Sequence, residues 1–178
     1  MKTYLLAISF LLTISQVGWS QSRSEKKALK IEVETKAYEK VKSLLDDGAF
    51  FFNADWVYPR SMNQINLINN PGIIRFTSAD SVKIHLPYFG VVRIGGGFNQ
   101  STAIQHQGAV SDFKVVHNDK KRSSVITFIA KSPSETYDIS MTVFSNGNAS
   151  IFVNSTKRDG IRYRGTMAYI DETLLTKS

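Results

Sequence analysis

Two periods divide the chain at Gly48. Before it, Ala37, Tyr38, Val41, Leu44 and Leu45 recur on the 3.6-residue spacing of one buried helix face. Ser22 and Glu25 have the spacing of a capping box. Gly48 suits the C-terminal cap. These signals predict a helix over residues 21–47, with Ser22 at its start. Two features run against the pattern. Ile31-Glu32-Val33-Glu34 alternates, and Asp46 and Asp47 sit at the end the helix dipole disfavours.

After Gly48 the period is two. Phe50, Phe52, Ala54, Trp56 and Tyr58 fall on one face, and Val82, Ile84, Leu86 and Tyr88 on another. Tyr137, Ile139, Met141 and Val143 alternate with polar neighbours, as do Ile161, Tyr163, Met167 and Tyr169. Half-buried antiparallel strands carry this pattern. Shorter candidates lie at 65–68, 73–77, 108–117, 124–130 and 149–154. Turn chemistry separates them: Asn70-Pro71-Gly72, His117-Asn118-Asp119-Lys120 and Asn146-Gly147. A two-residue Asn146-Gly147 hairpin needs positive φ at both positions and sets Met141 opposite Phe152. About eight to nine short strands with close turns predict a mainly β fold, an N-terminal helix followed by an antiparallel barrel or sandwich over residues 48–178, and the short connections favour an up-and-down barrel. Closure into a barrel removes exposed strand edges.

The first twenty residues form a different kind of segment. Lys2 supplies a positive charge, residues 4–14 are apolar apart from Ser9 and Thr13, and Gly18 and Ser20 offer small residues before Gln21. That layout predicts a signal peptide over residues 1–20, cleaved near Ser20. The apolar run is shorter than the roughly 20 residues a membrane-spanning helix needs. The expected protein is therefore exported, periplasmic or extracellular, with no transmembrane segment.

Export changes how the composition reads. The chain has no cysteine. Disulfides, thiolate metal sites and lipidation of a cysteine after the signal are excluded. The fold must rest on its core, and the length allows one. The net charge is +7. Part of the excess is clustered at Lys26-Lys27, Lys120-Lys121-Arg122, Lys157-Arg158 and Arg162/Arg164. Basic clusters attract anionic lipid, acidic glycan or nucleic acid, and export disfavours the last.

Catalytic motifs are missing. There is no Gly-x-Ser-x-Gly elbow and no His-Glu-x-x-His pair. Ser101, His106 and Asp112 have the residue types of a triad, but a triad is defined by geometry. His85, His106 and His117 lack metal-ligand spacing. Gly95-Gly96-Gly97 lacks the Lys-Ser/Thr of a phosphate loop. No enzyme activity, cofactor or metal is expected. The sequons at Asn99, Asn148 and Asn154 matter only in a glycosylating host.

Several strings are recognisable together. Asp47-Gly48-x-Phe50, Ala54-Asp55, Tyr58-Pro59, Leu86-Pro87-Tyr88-Phe89-Gly90 and Gly108-x-Val110-Ser111-Asp112-Phe113 resemble domain-of-unknown-function family 4251. The resemblance spans roughly residues 37–170. It implies an exported protein, mainly of Bacteroidetes, with a helix followed by a lipocalin-like barrel. It implies no activity, cofactor or catalytic residue.

Two functional expectations follow. Barrels of this size can hold one small ligand. The rings predicted to face inward, with the glycine-rich loop from Gly90 to Gln107, make Trp56, Tyr58, Tyr88, Phe89, Gly95, Gly96, Gly97 and Phe98 the expected contacts of a small apolar or amphipathic ligand. The alternative is a filled barrel serving as a monomeric envelope interaction protein, its basic turns contacting an anionic partner. A hydrolase is a third, weaker reading.

Overall fold

The computed structural model describes residues 17–93 and 103–169. Among these, helix α1 (Val17–Asp46) precedes nine strands. They are β1 (Phe50–Tyr58), β2 (Ile65–Asn66), β3 (Gly72–Ser78), β4 (Ser81–Pro87), β5 (Ala103–Asn118), β6 (Ser123–Lys131), β7 (Thr136–Phe144), β8 (Asn148–Ser155) and β9 (Ile161–Tyr169). Sequential neighbours pair antiparallel, and β1 also pairs with β9. The result is a closed up-and-down barrel of eight strands, with the short β2 added on β1. The predicted helix-then-barrel architecture is the one observed.

The chain clusters into two units, residues 1–36 and 37–178. Within the first, the described side chains of α1 are largely exposed and pair along the helix, Lys36 with Glu32 at 2.7 Å and Lys30 with Glu34 at 4.0 Å. Such i,i+4 pairs each add a few tenths of a kcal/mol. Residues 17–21 are already helical, so Ser22 lies inside α1 and no free amide remains there for a capping box to bind. Gly48 ends the helix as expected, with φ +71° and its amide on the Leu45 carbonyl.

Within the second unit, Tyr38, Val41, Leu44 and Leu45 are buried at the barrel end formed by the β3–β4 and β5–β6 turns. The Tyr38 hydroxyl donates to Asp119 at 3.0 Å and Lys42 reaches the same carboxylate at 3.3 Å. His117 bridges Ser124 and Asp46. The inward side chains of the strands join those of the helix in one continuous core, in which Phe50, Phe76, Phe113 and Phe128 make neighbouring ring contacts.

Inside and outside are assigned by two bulges. In β5 an extra residue falls between Ser111 and Lys114, with Asp112 at φ +55°. The parity switches there, so Val110 before the bulge and Phe113 and Val115 after it all pack on the core. In β1 the register with β9 shifts between Ala54 and Trp56. Phe50, Phe52 and Ala54 point inward, and then Val57 does. The expectation that Trp56 and Tyr58 share the inner face is therefore corrected: the unpaired Asp55 turns both outward.

The β7–β8 hairpin also differs from its prediction. Met141 pairs with Ile151, and Phe152 pairs with Ser140. Gly147 has φ +79°, and Asn146 is not among the residues with positive φ. The loop is three residues long, a turn closed by the Gly147 amide on the Phe144 carbonyl, rather than two. The one-residue slip sends Ile151 inward and leaves Phe152 44% exposed.

Candidate functional site

The two bulge-displaced rings meet arginines. On the outer face Tyr58 of β1 lies directly across from Arg162 of β9, and Arg162 directly across from Phe152 of β8. One guanidinium-bearing position thus stands between two rings in a three-strand row. The adjacent row is Trp56, Arg164 and Ser150. The Arg164 guanidinium lies 5.1 Å above the Tyr58 ring, a distance at which a cation is attracted by the ring face.

Tyr58, Phe152, Arg162 and Arg164 line a groove of about 500 Å³ that also takes in Arg60, Arg93 and Arg158. None of its described lining residues is acidic. Two carboxylates border it from outside the lining: Asp159, which holds Arg93 at 2.5 Å, and Glu135, which holds Arg158. A second groove of about 580 Å³ continues down the same face past Trp56, Asn146 and Asn148; Arg164 belongs to both, and the second also takes in the carboxylate-bearing Asp55. Arg60, Arg162 and Arg164 are exposed, so they carry full charge into water-accessible space.

One end of the groove is held by a buried polar knot. Arg158 Nε donates to both oxygens of Glu135, at 3.1 and 3.0 Å, and both side chains are buried. The Tyr137 hydroxyl donates to Glu135 at 2.9 Å, and the Ser155 hydroxyl donates to it as well. Ser155 Oγ in turn accepts the amides of Lys157 and Arg158. Burial, reinforced by the Glu135 carboxylate, pushes the Tyr137 phenol up to about 12. Removing two charges from water is costly, and saturating hydrogen bonds is what makes such a pair tolerable.

Tyr88 connects this knot to the stem of the glycine-rich segment. Its ring is buried, as expected, with the Arg158 guanidinium 5.1 Å above it. Its hydroxyl donates to the carbonyls of Val91 and Asp159, at 2.9 and 3.1 Å. Burial raises its pKa. Val92 forms a bridge with Arg158, and the Arg93 amide bonds the Lys157 carbonyl. The Pro-Tyr-Phe-Gly string thereby acquires a physical reason. Pro87 offers its carbonyl to the Tyr163 hydroxyl at 2.8 Å. Gly90 lacks the Cβ that would overlap the Tyr88 hydroxyl. Phe89 follows the end of β4 and packs, partly buried, on the core.

The predicted contact residues are thus dispersed. Trp56 and Tyr58 are outside the barrel, Tyr88 is in its core, and Phe89 lies at its edge. Gly95, Gly96, Gly97 and Phe98 lie outside the described residues, as does Ser101 of the imagined triad. The hydroxyls of Tyr88, Tyr137 and Tyr163 all have protein partners. His85 neighbours Gln105, and His106 neighbours Ser132 and the Ala109 carbonyl. Among the described residues no group of three or more His, Asp or Glu could hold a metal. Nor is any described helix long and apolar enough to cross a membrane. Sequence reasoning flagged the basic pairs Lys157-Arg158 and Arg162/Arg164. It missed Arg60, Arg93 and Phe152: strand register brings Phe152 beside Arg162, and the Val92–Arg158 bridge brings in Arg93.

The family model for "Domain of unknown function (DUF4251)" matches residues 32–167. No curated protein matches the chain. Among solved structures, the chain is similar to a crystal structure of a DUF4251 family protein from Bacteroides eggerthii DSM 20697, at 16% identity. That match covers 78% of this chain and 91% of the other, with a TM-score of 0.60, and it bears on the fold.

Proposed function

Because the chain belongs to the DUF4251 family, to which no function is assigned, we propose its activity from its own surface: an exported, non-enzymatic barrel that captures an anionic envelope component on its outer face. The observation that carries this reading is the arginine-lined groove, none of whose described lining residues is acidic. Arginine forks match carboxylate and phosphate oxygens in pairs, and the rigid strands hold them at set spacing. The buried Glu135–Arg158 knot supports the site from beneath. The leader-like residues 1–20 support export, and N-terminal sequencing of the periplasmic protein should begin at Gln21.

The reading of a small apolar ligand inside the barrel has less support, because inward side chains from all sides form a single packed core. The test is capture of polyanions at low salt by the intact protein and by an Arg60→Gln, Arg162→Gln, Arg164→Gln variant. Wild-type binding should weaken as salt rises and fall at least tenfold in the variant. Absence of any polyanion binding at low salt would overturn the proposal.

A further inference from the structure

We infer that the groove is built for an extended acidic oligosaccharide, an inference that rests on the anion-capturing role proposed above and specifies its ligand. Shape is the first argument. The two grooves share Arg164 and follow β8 from Asn154 to Asn148, a path of about 20 Å at the usual strand rise, with the arginines gathered in the first groove and Asp55 bordering the second. A lone phosphate or carboxylate would occupy one guanidinium and leave the rest of this path empty. A chain molecule uses all of it.

The second argument is the alternation of chemistry along the path. Phe152 and Tyr58 flank Arg162, and Trp56 flanks Arg164. Phe152 rests over Gly160, where an added Cβ would come within 2.7 Å of its Cζ, and the residue stays 44% exposed. Rings beside arginines suit a ligand whose units have an apolar face and a carboxylate on the same ring. Sugar rings with acid groups have both. A simple polyanion has no use for the rings.

The third argument is hydroxyl recognition. Asn146 and Asn154 each commit their side-chain oxygen to a backbone amide, at 3.0 and 3.2 Å. Their NH₂ groups are left as donors on the exposed face. Asn148 and Ser150 lie between them on β8. Amides and a hydroxyl spaced along a strand match the hydroxyls of successive sugars better than they match a lipid surface.

The test titrates the full chain with oligogalacturonates of increasing length, with neutral oligosaccharides of equal length, with inorganic polyphosphate and with oligothymidylate. Oligogalacturonate should bind more tightly with length, at least tenfold above polyphosphate, and the neutral sugars should not bind. Phe152→Ala and Phe152→Leu should each weaken oligogalacturonate about tenfold and polyphosphate by markedly less, while Arg162→Gln should weaken both alike. Equal affinity for oligogalacturonate and polyphosphate, with no effect at Phe152, would overturn the saccharide assignment while leaving anion capture standing. Tighter binding of oligothymidylate would overturn it in favour of a nucleic acid. Failure of every anion to bind would remove the proposed function as well.

Discussion

Arg158 and Glu135 form an ion pair in which a single guanidinium nitrogen serves both carboxylate oxygens, at 3.1 and 3.0 Å, with almost no access to water. Glu135 follows β6 and Arg158 follows β8, so the pair ties two loops at one barrel end. Arg158→Ala would leave Glu135 buried without its counter-ion. Loss of one member of a buried pair costs about 3–5 kcal/mol. Urea denaturation should find a drop of that size, largely restored when Glu135→Leu is added. An unchanged midpoint for Arg158→Ala would show that the pair contributes nothing.

High pH should strain the same knot. The Tyr137 phenol ionises near 10 in the unfolded chain and near 12 in the folded one. Between those values the folded state binds the extra proton, so stability falls as pH rises through the window. The contribution is complete below pH 10. Two pKa units correspond to roughly 2–3 kcal/mol. Tyr137→Phe should flatten the alkaline decline between pH 10 and 12. The same slope in variant and wild type would refute the assignment.

At the other barrel end the sign reverses. The Tyr38 hydroxyl, then Lys42, hold the Asp119 carboxyl below its ordinary value. Its contribution is present above that ordinary value and is lost as pH falls through the lowered one. Because Asp119 is exposed, the effect should be small and salt-sensitive. Hydrogen-exchange protection in the last turns of α1, taken relative to the intrinsic rate at each pH, should fall in acid, and in Asp119→Asn it should already be lower at neutral pH. Identical exchange in the two proteins would separate Asp119 from helix docking.

Closure of the barrel depends on Gly165. It pairs with Ala54, and a Cβ there would overlap the Asn53 carbonyl. Backbone cannot yield as a flexible side chain can. Gly165→Ala should therefore destabilise by about 1–3 kcal/mol or more, the scale of overpacking effects, and lower the melting temperature clearly. A melting temperature equal to that of wild type would mean that β1 and β9 separate there without cost.

Most of the barrel could be read from alternation, because a half-buried strand has to alternate. The inner faces of β4, β7 and β9 at Ile84, Met141 and Tyr163 are as predicted. Parity fails where a residue is added to one strand only. Asp55 and Asp112 are ordinary letters in the sequence, and nothing local marks them as the residues that drop out of register. Asn146-Gly147 misled in the same way, since a three-residue loop differs from a two-residue one by the φ of Asn146. The candidate site was legible only as charge. Arg162 and Arg164 were visible as a basic pair, but their juxtaposition with Tyr58 and Phe152 is set by pairing between distant strands.

That pairing has a further consequence. Tyr58 and Arg162 belong to the first and last strands of the barrel, and their meeting is the joint by which it closes. No fragment or half-formed meander contains the groove; it comes into being with the final seam. A ligand seated across that seam binds the closed protein and not the open chain, and so stabilises it by mass action. Its occupant would act as a clasp, slowing the opening of the one strand pair whose partners are farthest apart along the polypeptide.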